Sequence, residues 1–241
     1  MEAIDNYYAR AKNHLTNGMA LQALDILDDH LTRNPSDPQA LELHGIVLHT
    51  LQQFPEARRS IETANLIGEL SDAATLALAD CYWFTGEQEI AQNLFHGLAK
   101  QDQLAPNLRP GLAMGLGRMQ AYHLAIEVCR QSVLEDASNH EARYGTAFYM
   151  SKAGYPPEII LPIVDRLVAL QPTEFHYRMT MATLLCRLDQ PQNAYLAVAD
   201  ASLKELNTIS CQCCIQRLIT IYASAGDQHR RQWCENRRQS I

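Results

Sequence analysis

The sequence predicts an all-α fold, a solenoid of about seven stacked helical hairpins occupying residues 1–241 as a single domain. Three observations predict it. Ala11, Gly45, Ala79, Ala113 and Ala147 recur every 34 residues, and Ala182 follows 35 later. A second small-residue register, Ala23, Ala57, Ala91 and Ala125, has the same spacing and resumes at Ala194. A third register of turn positions lies between them: Gly18, Gln52, Gly86, Gln120, Gly154, Asp189 and Gly226. One period shared by three registers marks a small supersecondary unit that buries its apolar face only by stacking on its neighbours.

The unit is clearest in residues 72–105. Asp72 is placed to cap a first helix. Leu78, Ala79 and Tyr82 follow at helical spacing, and Gly86 permits a reversal through positive φ. Ile90, Ala91, Leu94, Phe95 and Leu98 then line one face of a second helix. Ala79 and Ala91 let the two backbones approach closely, where larger side chains would force them apart. The same pattern places the other units at 4–37, 38–71, 106–139, 140–173, 174–208 and 209–241. In the fifth unit Ile159 or Ile160 replaces the second small residue, and Pro162 is expected to kink or delay the second helix. The last unit carries Arg230, Arg231, Arg237 and Arg238, the polar cover expected of a terminal cap.

These residues resemble the tetratricopeptide repeat (TPR), a 34-residue helix–turn–helix with one small residue midway along each helix. The resemblance implies a right-handed α-solenoid whose first helices line a concave, protein-binding groove. In that register the groove residues are Tyr8, Lys12, Glu42, Ile46, His49, Asp80, Trp83, Met114, Arg118, Tyr144, Phe148, Lys152, Met179, Thr183, Arg187 and Gln216. Trp83, Met114, Tyr144, Phe148 and Met179 would offer adaptable apolar area to a peptide. The competing reading makes them packing between adjacent first helices. Arg118, Lys152 and Arg187 occupy equivalent late positions, as a basic ladder or as cations favoured by helix dipoles. Family members that hold the C-terminal carboxylate of heat-shock chaperones use a Lys/Asn/Asn/Lys/Arg clamp. Tyr8, Lys12, Leu43, Ala73 and Ala77 stand there instead, so that role is not expected.

Composition narrows the remaining classes. Net charge is −7. Residues 1–105 hold six Lys/Arg against fifteen Asp/Glu, net −9, and residues 106–241 hold fourteen against twelve, net +2. Nucleic-acid binding, which needs many cation–phosphate contacts, is not expected. No apolar run is long enough to span a membrane. The opening MEAIDNYYARAKN lacks the basic and apolar regions of a secretory signal, so the chain reads as cytoplasmic.

The seven cysteines do not suggest a secreted disulfide framework. Cys211, Cys214 and Cys234 are the candidates for a metal site, weighed against ordinary buried thiols; the spacing fits no paired zinc motif, so no metal and no cofactor is expected. No phosphate-binding loop, dinucleotide fingerprint or nucleophile elbow occurs. The sequence therefore predicts a non-enzymatic module that holds a partner protein or peptide segment, of the kind found in assembly factors and secretion chaperones. Self-association into a homo-oligomer is the first alternative, and a metal- or redox-dependent regulator the second.

Overall fold

The computed structural model describes residues 4–101 and 103–240, with side chains from residue 7 onward. Residues 1–3 of the opening segment, Asp102 and Ile241 lie outside the described residues. Among those described there are fifteen α-helices, one short 3-10 turn and no strand. None of the helices is long and apolar enough to cross a membrane. The chain divides into two compact units, Met1–Val128 and Cys129–Ile241.

The first unit contains α1 (Ile4–Thr16), α2 (Ala20–Arg33), α3 (Pro38–Thr50), α4 (Phe54–Ile67), α5 (Asp72–Thr85), α6 (Gln88–Ala99), a 3-10 turn (Pro106–Leu108), α7 (Arg109–Arg118) and the start of α8 (Tyr122–Glu135). Consecutive helices pair as antiparallel hairpins. Ala11, Ala23, Ala57, Ala79, Ala91 and Ala125 are completely buried. Their methyl groups sit where helix meets helix, so the approach distance is set by the smallest side chains present. Gly45 and Gly115 carry this furthest. A Cβ on Gly45 would collide with Ile61 and come within 3.0 Å of the Ala57 carbonyl oxygen, and one on Gly115 would collide with the Phe95 ring.

The third register is a row of identical turns. Gly18, Gln52, Gly86, Gln120, Gly154, Asp189 and Gly226 all adopt left-handed backbone, with φ from 56° to 101°. After each, the next residue's N–H donates to the carbonyl five residues back, from Met19 to His14, Gln53 to Leu48, Glu87 to Tyr82, Ala121 to Leu116, Tyr155 to Met150, Gln190 to Leu185 and Asp227 to Tyr222, at 2.9–3.0 Å. This six-to-one bond closes a helix end and aims the chain into the next helix. Glycine is free there; Gln52, Gln120 and Asp189 hold the conformation against the clash of their Cβ.

Helix starts are set locally. Pro38 sits at the first position of α3, and Asp37 accepts from the N–H groups of Gln39 at 3.1 Å and Ala40 at 3.2 Å. The same carboxylate accepts from Tyr7 Oη at 2.7 Å and bonds His30 Nε2 at 2.8 Å, and His30 stacks on Tyr7 with centroids 3.5 Å apart. Burial pushes Asp37 up, but the bonds from Tyr7, His30 and the Ala40 N–H hold its carboxyl below the usual carboxylate value. The cap of α5 is Ser71, accepting from the Ala74 N–H at 3.2 Å, rather than Asp72, which is the first helical residue.

The second unit contains the rest of α8, then α9 (His140–Lys152), α10 (Pro157–Leu170), α11 (Phe175–Arg187), α12 (Pro191–Leu196), α13 (Leu203–Asn207), α14 (Gln212–Ser224) and α15 (Gln228–Gln239). Pro162 does not delay α10, which begins at Pro157 and runs through it. Ile160, buried, takes the second small position, while Ile159 faces out. Next to it Leu161, Pro162, Met181, Leu185, Leu196 and Ala197 line an open groove of about 540 Å³.

The sixth hairpin departs from the pattern. Its second helix ends at Leu196, and α13 is an added helix before the seventh hairpin. The irregular stretch is held by side chains. Buried Arg178 pairs with Asp200 and with Glu205, the latter at 2.7 Å. Tyr222 Oη donates to the Val198 carbonyl at 3.1 Å, Arg230 Nε to that of Ala201 at 2.9 Å and Arg237 Nη2 to that of Asn207 at 2.7 Å. Two of the arginines expected as polar cover therefore also satisfy carbonyls that a longer helix would have satisfied internally.

Gly115→Ala should destabilise the chain by about 1–3 kcal/mol in chemical denaturation, because the collision with Phe95 outweighs the better helix propensity of alanine. Gln52→Gly should stabilise it by up to about 1 kcal/mol by relieving the left-handed strain. The Asp37 contribution is complete above the unfolded carboxylate pKa and is lost as pH falls through the lower folded value. Below about pH 4 the native melting temperature should therefore fall faster than that of Asp37→Asn; parallel curves would refute this role.

Candidate functional site

Within the first unit the accessible side of α3, α5 and α7 carries a connected group of side chains. Asp80, on α5 and only 8% exposed, bonds His49 Nε2 on α3 at 3.0 Å and pairs with the Arg118 guanidinium on α7. These positions face one another because the 34-residue stacking lays α3, α5 and α7 side by side. The Arg118 guanidinium lies 5.0 Å over the Phe84 ring, and Phe84 stacks on Phe54 of α4 at 4.3 Å. Phe54 also meets the His49 ring edge-on at 5.8 Å. Phe84 is nevertheless 50% exposed, and Met114 on α7 is 58% exposed. The result is a fixed aromatic surface beside an ion-paired arginine.

In the second unit the corresponding side of α9 and α11 is aromatic. Tyr144 lies 6.2 Å from Phe148, 4.8 Å from His176 and 5.3 Å from Tyr177, and its hydroxyl bonds His176 Nε2. Burial pushes the Tyr144 hydroxyl pKa up. Phe148 is 40% exposed, with Lys152 Nζ 5.6 Å over its ring. Arg217 donates to Thr183 Oγ1 at 3.2 Å, joining α14 to α11 one period apart.

The residues expected in a groove fall into distinct environments. Lys12, Met114, Phe148, Lys152 and Arg187 are exposed, and Tyr8, Glu42, Ile46, His49, Trp83, Arg118, Tyr144 and Thr183 are partly covered. Lys12 lies 5.8 Å over Tyr8, which packs against the first core cluster, and Ile46 packs against the cluster of Ile61 and Leu78. Glu42 accepts from the Ser71 hydroxyl, and Gln216 accepts from Arg238. Met179 is the clear correction. It is 8% exposed inside the cluster formed with Phe175, Ala182 and Leu185, because one more turn of α11 is covered than the register suggests. Arg118 is also not a free cation, since Asp80 neutralises it. Phe54 and Phe84 were missed by the sequence reading. Phe84 stands 34 residues before Arg118, so the period itself carried the signal.

The cysteines regroup as well. Cys234 is buried beneath the last hairpin, its thiol pushed up to about 11 by burial, and does not join the others. Cys213 does: the sulfurs of Cys211, Cys213 and Cys214 all lie within 4.8 Å of one another. All seven cysteines are free.

Comparison with solved structures identifies the class. Over the whole chain the structure resembles a tetratricopeptide repeat protein from Parabacteroides merdae (TM-score 0.66, 15% identity, 94% of that chain covered). It matches the C-terminal part of a TPR repeat-containing protein from Cytophaga hutchinsonii with TM-score 0.68 and 10% identity, over 94% of this chain and 92% of that one. A further match is YrrB, described as a TPR protein with an unusual peptide-binding site (TM-score 0.55, 17% identity, 71% of this chain and 88% of that one). The fold is thus that of TPR proteins, as the periodic residues predicted. No protein-family model and no curated protein matches the sequence.

Asp80→Ala should cost about 1–3 kcal/mol of stability by leaving Arg118 and His49 without their shared partner, a cost moderated by their partial exposure. A double-mutant cycle with Arg118→Ala should show coupling between the two side chains; strict additivity would dismiss the pair.

Proposed function

We propose that the chain is a non-catalytic scaffold that holds a segment of another protein on the first-helix surface of α3, α5 and α7. The observation that carries this reading is the Phe84 ring, half exposed yet fixed between Phe54 and the Arg118 guanidinium. An aromatic side chain held in place before binding gives contact area at little entropic cost. Exposed Met114, one repeat further along, adds a polarizable surface that adapts to the partner. The peptide-binding site reported for YrrB supports the use of this fold for such a task. The role is that of an assembly factor or secretion-type chaperone, carried out in the cytoplasm, where seven free thiols are at home. Phe148 and its aromatic neighbours extend the same chemistry to the second unit.

Affinity capture followed by mass spectrometry should recover a partner with the native chain and lose it with Phe84→Ala combined with Met114→Ala, at unchanged helicity. Undiminished capture by the double variant would refute the reading. Because Asp80 already neutralises Arg118, partner affinity should fall little with added salt; a steep fall would mean that the arginine meets an acidic ligand instead. Sedimentation over a dilution series tests self-association, which predicts a concentration-dependent mass.

A further inference from the structure

The N-terminus of α14 presents three thiols, of which only Cys214 packs against the neighbouring core cluster. Cys211 is the N-cap residue, and Cys213 and Cys214 are the second and third helical residues. The sulfurs of all three lie within 4.8 Å of one another. Cys211 and Cys213 are exposed and Cys214 half-buried, unlike Cys81, Cys129 and Cys234, which fill the core.

We propose that Cys211, Cys213 and Cys214 form a three-thiolate site for one soft, closed-shell cation, Zn²⁺ or Cu⁺. Metal–sulfur bonds of about 2.3 Å in a trigonal set place the sulfurs about 4 Å apart, so the observed cluster needs only a small contraction. Binding releases the thiol protons and leaves a net anionic centre, which the positive end of α14 favours. Thiolates select soft cations over Mg²⁺ or Ca²⁺, and the adjoining cavity of about 140 Å³, lined by Phe175, His176, Met179, Thr208 and the sulfurs of Cys211 and Cys214 among others, contains no carboxylate. Cu⁺ is satisfied by three sulfurs. Zn²⁺ takes a fourth ligand, water or the imidazole of His176 in the same cavity. This site is separate from the proposed peptide-binding surface of α3, α5 and α7.

The full chain, reduced and anaerobic, is loaded with Zn²⁺ in one arm and Cu⁺ in the other, desalted, and its metal content measured. One ion per chain should remain in at least one arm and drop to background in Cys213→Ser and in the triple Cys211→Ser, Cys213→Ser, Cys214→Ser variant. Cys186→Ser, altered at an exposed cysteine outside the cluster, should retain it. Circular dichroism verifies that each variant is folded. Loss on His176→Ala in the Zn²⁺ arm alone identifies the fourth ligand. Background metal in both arms of the native chain, or undiminished metal in the triple variant, overturns the proposal.

Discussion

The first four hairpins and the sixth depend on the close approach of two helices through a pair of small residues. Ala79 and Ala91 are completely buried on the paired helices α5 and α6, and at Gly45 and Gly115 even a methyl group is excluded. Interiors packed at crystal-like density turn such contacts into fixed distances. The left-handed residue and its six-to-one hydrogen bond then fix the angle at which the second helix returns. Distance and angle together determine which side chains of successive first helices become neighbours. The alignment of His49, Asp80 and Arg118 follows from that repetition.

The polar contacts are secondary but specific. Asp37 caps α3 while tying Tyr7 and His30 of the preceding hairpin to it, so one carboxylate serves both local and tertiary structure. Arg58 does similar work between α4 and the turn after α5, bonding Glu62 at 2.8 Å and Glu87 at 2.6 Å and covering Tyr82. Around the irregular segment after α12, Arg230 and Arg237 donate to backbone carbonyls, while Arg178 pairs with Asp200 and Glu205. The interruption of the repeat is thus met in part by guanidinium groups, which offer several donors in a fixed fork.

The candidate binding surface is built on this frame. Aromatic rings are held by stacking and by an overlying cation, and the cation is itself neutralised by a buried acid. Such a surface is organised before any partner arrives and offers mainly shape and apolar area. The thiol cluster is different in kind. It comes from three neighbouring residues at the start of α14, beside a cavity that α11 helps to line.

The sequence by itself determined the fold class and the places of the seven turns between paired helices. Small residues and turn formers act locally, and their 34-residue spacing reports their structural role directly. Gln52, Gln120 and Asp189 fall on the same period as the glycines, and the structure shows that they share their left-handed backbone. Tertiary structure alone decided which first-helix residues remain accessible. Burial of Met179 and exposure of Phe84 depend on how far each neighbouring helix extends, and a register specifies a face but not how much of it is covered. Tertiary structure also replaced Cys234 with Cys213 among the clustered thiols, because a sulfur's position depends on the path of the backbone at a helix cap and not on sequence spacing.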